Sequence, residues 1–325
     1  MLQIGNQRVF FHSSEAMPEL FDGETDFFIT SPPYWNLKDY GHPDEIGKES
    51  YANYLDRLSA VWDQCFRAGR DGSILVVNVN SRRHKKQFYP LAFDIARTVR
   101  GWSLWDHVIW YIPNALPQPN HYIERLLDNK FESCLVFVKG DPDKIKFHKP
   151  RVPQKYAVAD PRPEKKNPEG RCLGNIIRIP AYRPPNVKEG NYHVAAFPEE
   201  LVAFFLACYT DAGDQVVDPF VGSGTTLKVS RVMAREGTGY EINPDYSDLI
   251  NKRVLESWSV PDWRTVDLLH SSTMATSPTP RRREKQDSKV QELLLEMQAE
   301  IFASPASIQA APASRSRVKV TAADV

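Results

Sequence analysis

The sequence contains little cysteine, no long apolar run and no excess charge of either sign. Its four cysteines lie far apart, form no Cys-x-x-Cys pair and are not interleaved with histidine, which argues against a disulfide scaffold and a structural zinc site. The densest apolar stretch, residues 201–209, is too short to span a bilayer. No cationic segment followed by a long apolar run opens the sequence, so no signal peptide is predicted. These absences predict a cytoplasmic protein with no metal site and no membrane partner.

Charge is balanced, with 41 basic and 41 acidic residues in a chain of 325. Any attraction to a polyanion must therefore come from local patches. One candidate is the run RRHKK at 82–86, which follows a predicted strand. Another is the segment 141–190, which holds nine of the 25 prolines and 12 basic against six acidic residues. This segment is longer than a loop that only connects two elements of a compact domain usually is, which favours a function for it.

Apolar runs alternate with helical patterns along most of the chain, and 42% of the residues are apolar, enough for a sizeable core. The alternation predicts an α/β fold with a mostly parallel sheet covered by helices. Strands are predicted at 26–30, 72–80, 105–111, 134–139, 215–220 and 239–242, and helices at 51–68, 91–100, 198–209 and 225–235. From residue 271 the composition is polar, apart from one amphipathic helix candidate at 290–302.

A glycine-containing loop follows the predicted strand at 215–220. The sequence DPFVGSGTT begins at Asp218, and its two glycines allow a sharp turn and a close approach of backbone to a ligand. The two threonines begin the next helix. The backbone N–H groups of its first turn point toward a ligand bound over the loop. Glu241 ends the following strand, where an acid can accept both hydroxyls of a ribose. The pattern predicts an adenosine-containing ligand. It excludes a P-loop, and it leaves NAD open although Leu227 breaks Gly-x-Gly-x-x-Gly.

A second chemistry-bearing segment, TSPPYW at 30–35, follows the strand at 26–30. Two consecutive prolines cannot extend a strand, so the chain leaves the sheet edge here in a rigid conformation. Ligands bind at this edge in open α/β sheets. Ser31 offers a hydroxyl and the carbonyl of Pro32 a second acceptor, while Tyr34 and Trp35 offer flat faces that could stack on a base.

Together the two segments resemble the motifs of DNA amino-methyltransferases. SPPY at 31–34 resembles their catalytic motif, and DPFVGSGTT with Glu241 resembles their S-adenosylmethionine site. The catalytic motif comes first, an order similar to the permuted β-group of restriction–modification enzymes.

Two further segments agree with this resemblance, which covers about residues 8–256. IWYIPNALP at 109–117 resembles the W-x-K-P-N-x-x-P segment of the family, and YHVAAFPEEL at 192–201 resembles its H-x-x-x-F-P-x-x-L element. Two positions depart from the pattern. Ile112 stands where Lys is usual, and Ser13 and Ser14 stand where many members carry an Asp that contacts the cofactor adenine.

The resemblance implies a Rossmann-like S-adenosylmethionine-dependent fold with helices on both faces of the sheet. Together with the composition of 141–190 and of the tail, it divides the chain into four predicted segments: a catalytic half at 1–140, a candidate target-recognition segment at 141–190, a cofactor-binding half at 191–270 and a polar tail at 271–325. The implied catalytic residues are Ser31, Pro32, Pro33 and Tyr34. The implied cofactor-binding residues are Ser13, Phe197, Asp218, Phe220, Gly222, Gly224, Thr225, Thr226 and Glu241. The DNA-binding candidates are Arg82, Arg83, Lys85, Lys86 and Asn114.

The implied reaction is methyl transfer to the exocyclic N4 amino group of a flipped cytosine in double-stranded DNA. In the family, Ser at the first motif position usually accompanies N4-cytosine methylation and Asp accompanies N6-adenine methylation, so adenine N6 is the alternative product. The expected partners are duplex DNA and an endonuclease that acts on the same site without being bound, with the enzyme a monomer or weak dimer. A methyltransferase for RNA or a protein amide, a DNA-binding module and an NAD-dependent enzyme stay open.

Overall fold

A nine-stranded mixed sheet organises the part of the chain that the computed structural model describes, residues 1–36, 41–115, 125–152, 171–181 and 197–261. Its strands are β1 (Leu2–Ile4), β2 (Gln7–Phe10), β3 (Thr25–Thr30), β4 (Gly69–Val79), β7 (Trp102–Tyr111), β8 (Phe131–Lys139), β11 (Ile176–Arg178), β12 (Gln215–Asp218) and β13 (Glu236–Tyr240). Two small hairpins pair β5 (Arg82–His84) with β6 (Gln87–Tyr89) and β9 (Arg151–Val152) with β10 (Arg171–Cys172). The helices are α1 (Tyr51–Ala68), α2 (Leu91–Thr98), α3 (Glu199–Tyr209), α4 (Thr225–Val232) and α5 (Ser247–Leu255).

The strand order across the sheet is β1-β2-β13-β12-β3-β4-β8-β7-β11. The block from β2 to β4 is parallel throughout, whereas β8 runs antiparallel to both β4 and β7. The strands from the N-terminal part, β3 and β4, therefore lie beside β12 and β13 from the C-terminal part. This neighbourhood brings the carboxyl ends of β2, β13, β12 and β3 to one edge.

Alternating side chains along the central strands form two cores. Phe28 and Leu75 pack with α1 and α2 on one face, while Phe27 and Ile74 pack with α3 on the other. Strands covered on both faces read as nearly continuous apolar runs, which is why their sequence shows no polar alternation. The predicted α/β class, with a mostly parallel sheet and helices on both faces, is confirmed.

Element boundaries differ from the predicted ones where the backbone changes conformation. Helix α1 has its predicted bounds, and the Ser50 hydroxyl caps it by accepting the Asn53 N–H at 3.3 Å. Gly69 ends α1 in an extended conformation and also begins β4, three residues before the predicted strand. Helix α4 ends at Val232 and not at 235, because Ala234 takes a left-handed conformation with φ of 59°.

A buried ion-pair network joins three helices on the α3 face. Lys228 on α4 lies 2.9 Å from Glu199 on α3 and 3.0 Å from Glu256, which follows α5. Arg253 on α5 also contacts Glu199 at 2.9 Å. Buried charges need such partners because they have lost their hydration.

The described parts of the basic segment 141–190 lie in two different places. Lys146 is held 2.5 Å from Asp214 and 3.3 Å from Asp26, which stand before β12 and at the start of β3. This is the amino-terminal edge of the sheet, opposite the carboxyl ends. Strand β11 instead extends the main sheet beside β7.

The remainder of 141–190 and the predicted helix at 290–302 lie outside the described residues, so the predicted domain boundaries and the recognition role of 141–190 stay predictions. Among the helices described, none combines the length and the apolar character that a bilayer span needs.

Candidate active site

A cleft of about 630 Å³, measured with its open mouth, lies at the carboxyl ends of β2, β13, β12 and β3. Eight of the predicted site residues line it: Ser13, Ser31, Pro32, Pro33, Tyr34, Phe220, Gly222 and Glu241. The catalytic turn and the cofactor loop, nearly 190 positions apart in sequence, thus face the same space.

The loop after β12 is held from beneath by a buried carboxylate. Asp218 accepts hydrogen bonds from the hydroxyls of Thr30 at 2.7 Å and Thr226 at 2.5 Å, and from the backbone N–H of Phe220 at 3.0 Å. Burial raises the pKa of Asp218 to about 6, although these hydrogen bonds favour its charged form. Asp218 therefore ties the end of β3 to the loop and to α4, and it does not line the cleft.

The glycines of the loop have positive φ, 54° at Gly222 and 90° at Gly224. Gly224 caps α4, and Thr225 and Thr226 behind it are buried in the first turn. A side chain at Gly224 would approach Ile250 and Val254 within 3.2 and 3.3 Å. The sequence correctly indicated a turn that needs glycine, but only Gly222 of this group borders the cleft.

Glu241 stands at the end of β13 with 8% of its surface exposed. Its two carboxylate oxygens accept the backbone N–H groups of Gly222 and Asn243, each at 3.0 Å. Burial raises the pKa of Glu241 to about 7 against the effect of these hydrogen bonds, and the charge of Asp218 adds to the rise. The carboxylate is thus oriented by the loop itself and points at the cleft, as a group that accepts ligand hydroxyls must.

The cleft also contains a polar side chain that no sequence motif indicated. His12 lines the cleft, shares a hydrogen bond of 3.0 Å with Glu19, and lies edge-on to Tyr240 with 5.3 Å between ring centroids. Tyr240 also lines the cleft and donates to Glu19 at 3.2 Å. Only the position of His12 next to Ser13, after β2, could have indicated it.

Glu45 is a second missed residue. It lines the cleft with 3% exposure, accepts the backbone N–H of His42 at 3.1 Å, and lies 3.4 Å from Lys48. It belongs to a loop without periodic pattern, so the sequence held no signal for it.

Backbone contacts fix the catalytic turn in place. The hydroxyl of Tyr54 donates to the carbonyl of Pro33 at 2.9 Å, and the indole of Trp35 donates to the carbonyl of Glu49 at 2.9 Å. Trp35 is buried and contacts Tyr51 and Tyr89. It therefore anchors the turn rather than offering a face to a ligand, whereas Tyr34 lines the cleft.

The predicted basic run 82–86 forms most of the β5–β6 hairpin. Lys85 and Lys86 occupy its turn with φ of 47° and 68°, a conformation more usual for Asn-Gly. Arg83 lies 5.2 Å from the ring centre of exposed Phe88. Arg82 differs from its neighbours because it donates to the carbonyl of Asn36, next to the catalytic turn. We call Arg83, Lys85 and Lys86 the basic tip.

Two other predicted site residues lie away from the cleft. Phe197 is buried in the core on the α3 face. Asn114 donates to the carbonyl of Ala181 at 3.2 Å and accepts its N–H at 2.8 Å. Their predicted contacts with cofactor and DNA stay predictions. Among the described residues, no group of His, Cys, Asp and Glu side chains has the arrangement of a metal site.

The lining of the cleft fits a ligand with an aromatic part, a polyol part and a second reactant beside them. Phe220 and Tyr240 contribute aromatic side chains to the lining, Glu241 contributes a carboxylate, and Ser31 on the proline turn contributes a hydroxyl. Two reactants held at neighbouring strand ends can react without a covalent intermediate, because the site supplies proximity and hydrogen-bond acceptors.

Comparison with known proteins agrees with this arrangement. The N6_N4_Mtase family model, described as DNA methylase, matches residues 25–252. The type II methyltransferase M.MthZI of Methanothermobacter thermautotrophicus is 26% identical over 77% of each chain, and M.SmaI of Serratia marcescens is 27% identical over 74% of this chain and 88% of its own. M.MwoI of Methanothermobacter wolfeii is 29% identical over 67% of this chain, but the match spans only 29% of that longer protein.

Two solved structures share the fold. The PvuII DNA methyltransferase, cytosine-N4-specific, gives a TM-score of 0.58 at 19% identity and covers 78% of this chain and 87% of its own. The Thermus thermophilus protein TTHA0409, assigned as a DNA modification methylase, gives 0.53 at 24% identity and covers 79% and 100%. The Rossmann-like methyltransferase fold is therefore confirmed.

The prediction of S-adenosylmethionine as cofactor is confirmed at the level of the family. With the matched region spanning both the proline turn and the glycine loop, the chain belongs to the DNA methylase family of N6- and N4-methylating enzymes.

Proposed function

We propose that this enzyme transfers the methyl group of S-adenosylmethionine to the N4 amino group of a cytosine flipped out of duplex DNA. The observation that carries the proposal is the placement of Ser31-Pro32-Pro33-Tyr34 and Glu241 on the walls of one cleft. A base reaching this cleft must leave the stack, since the reactive nitrogen is inaccessible inside a duplex.

The chemical task is to make a weak nucleophile attack. The lone pair of an exocyclic amino group is delocalised into the ring, so the nitrogen must pyramidalise before it can react. The Ser31 hydroxyl and the Pro32 carbonyl accept hydrogen bonds from the two N–H groups of the amino nitrogen and favour its pyramidal form. The carbonyl of Pro33 is already used by Tyr54, which keeps the turn rigid while the substrate binds. When bound, S-adenosylmethionine would supply an electrophilic methyl group on a sulfonium centre: the N–C bond forms as the S–C bond breaks, S-adenosylhomocysteine leaves, and the amino group loses one proton to solvent.

The remaining residues bind and orient the two reactants. Glu241 accepts the ribose hydroxyls of the cofactor, and Phe220 packs against its adenine. Tyr34 stacks on the flipped base, a contact that alanine substitutions elsewhere value at about 1–3 kcal/mol. The basic tip, on a hairpin that packs through His84 and Tyr89 against Trp35 beside the turn, contacts the DNA backbone.

Serine at the first position of the turn supports cytosine over adenine. A neutral hydroxyl is a weaker acceptor than a carboxylate, and in the resembling enzymes Ser usually accompanies N4 methylation. The similarity to type II methyltransferases supports a role in protecting DNA from an endonuclease that acts on the same site. We expect a cytoplasmic monomer or weak dimer. It should bind the DNA sequence on which the endonuclease acts and should not bind the endonuclease itself.

The test is to treat unmethylated DNA with the purified enzyme and identify the modified nucleoside by mass spectrometry. We expect N4-methylcytosine. N6-methyladenine without N4-methylcytosine would overturn the choice of base, while the absence of any methylated base would overturn the reaction. Ser31→Ala should slow methyl transfer about 100-fold, the scale for one transition-state hydrogen-bonding group. Its S-adenosylmethionine affinity should stay that of the wild type.

A further inference from the structure

We infer that Glu132 and Asn78 are positioning residues that hold the Tyr34 ring in the orientation needed to stack on the target base. The inference rests on the proposed role of Tyr34. It begins from one contact, because the Tyr34 hydroxyl donates to Oε2 of Glu132 at 3.2 Å. Glu132 lies nearly 100 positions away in sequence, and its role was not indicated by any motif.

The antiparallel direction of β8 explains why Glu132 can reach the cleft edge. Glu132 is the second residue of β8, and a strand that ran parallel to β4 would place its beginning at the far edge of the sheet. Because β8 runs in the opposite direction, its beginning lies beside Asn78 and Val79 at the end of β4. Reversal of this one strand therefore brings a carboxylate beside the catalytic turn.

Asn78 fixes the carboxylate in turn. Its side-chain N–H donates to the same Oε2 of Glu132 at 2.8 Å, and its Oδ1 accepts from the Cys134 thiol at 3.3 Å. Asn78 is 2% exposed and Cys134 is fully buried, so close packing restricts both side chains. The chain of contacts thus runs from the packed sheet interior to the Tyr34 hydroxyl.

The Tyr34 ring is consequently held at both ends. Tyr54 fixes the backbone just before it through the carbonyl of Pro33, and Glu132 fixes the hydroxyl. A pre-oriented ring loses little freedom when a base stacks on it, and correct orientation of the reacting base raises the rate of transfer. Glu132 itself needs no contact with the base in this arrangement.

A double-mutant cycle on the full-length enzyme tests the inference. Single-turnover methyl transfer to unmethylated phage DNA is measured for Tyr34→Phe, Glu132→Ala and the double variant. We expect each single change to slow transfer about tenfold, as the loss of one hydrogen bond to a charged group does, with no further loss in the double variant. S-adenosylmethionine affinity should stay near wild type in all three variants. The unfolding temperature should stay near wild type in Tyr34→Phe and fall by a few degrees in Glu132→Ala, because the buried Asn78 N–H loses its acceptor.

Further variants separate positioning from direct chemistry. Glu132→Gln keeps an acceptor oxygen for Tyr34 and should retain most of the rate. If Glu132 instead accepted a proton during the reaction, Glu132→Gln and Glu132→Ala would slow transfer equally. Glu132→Met keeps the stem volume and replaces Glu132→Ala in the cycle if that variant does not fold. Exposed Glu24, before β3 at the opposite edge, gives the control Glu24→Gln, which should leave the rate unchanged.

The outcomes distinguish this inference from the proposed function. Losses that multiply in the double variant, an unaffected Tyr34→Phe, or a Glu132→Gln as slow as Glu132→Ala would overturn the positioning role while wild-type methylation of DNA continued. A wild-type enzyme that methylated no DNA would overturn both.

Discussion

The protonation of Glu241 should make cofactor binding depend on pH near neutrality. Burial raises the pKa of this carboxyl to about 7, so a large fraction is protonated in the ligand-free enzyme at pH 6. Only the ionised form has acceptor capacity for both ribose hydroxyls beyond the bonds it receives from Gly222 and Asn243. The cofactor must therefore displace the proton when it binds at low pH.

The size of the effect follows from this competition. Because the pKa of Glu241 in the ligand-free enzyme is about 7, its protonation weakens the apparent affinity for S-adenosylmethionine by a factor of about 1.1 at pH 8 and about 11 at pH 6. The dissociation constant for S-adenosylmethionine should thus rise about tenfold over these two pH units, or about 1.4 kcal/mol. At pH 6 Asp218, whose pKa is raised to about 6, is also partly protonated, and this contribution is shared by wild type and the Glu241→Gln variant.

Titration calorimetry at constant ionic strength, with wild type and Glu241→Gln in parallel, provides the assay. In Glu241→Gln the side-chain NH2 group faces the backbone N–H of Gly222 or Asn243, and two donors cannot form a hydrogen bond. The affinity of this variant for S-adenosylmethionine should therefore be lower at every pH. Its affinity should also depend on pH much less than that of the wild type. His12→Asn, which replaces another polar side chain of the cleft, should keep the wild-type slope, as should Glu24→Gln. An equal slope in wild type and Glu241→Gln would refute the reasoning.

Three more perturbations test other parts of the structure. Lys228→Ala should lower the free energy of unfolding by about 1.5–3 kcal/mol in denaturant titrations, because buried Glu199 loses one charge-assisted hydrogen bond and keeps Arg253; a loss below about 0.5 kcal/mol would mean that the contact with Lys228 is not stabilising. Replacing the basic tip with alanine should reduce the slope of log DNA affinity against log salt by up to about three. Lys144→Ala, at a lysine paired with Asp71, is the matched control and should leave that slope unchanged. A chain ending at residue 273 should retain methyl transfer, since the tail composition can bury little apolar surface; a folded but inactive truncation would contradict this.

The amino-acid sequence determined the class of fold and the two chemical motifs. Continuous apolar runs such as the centre of β4 are what a strand buried on both faces requires, and the pattern of α1 gave its full extent. Proline pairs and glycine loops are local, because their backbone restrictions act within a few residues. That is why Ser31, Tyr34, Gly222 and the loop around them could be identified from the amino-acid sequence alone.

Tertiary structure decided which residues meet. The pairing of β3 with β12 places the proline turn beside the glycine loop, although nothing in either segment specifies that neighbour. It also separated residues that the sequence grouped together, since Asp218 braces the loop from below while Glu241 lines the cleft. Lys146, counted with a basic patch, is neutralised by acids at the opposite edge. Glu132 reaches Tyr34 only because β8 reverses direction. Contacts across such distances depend on strand order and direction, which a single sequence does not encode locally.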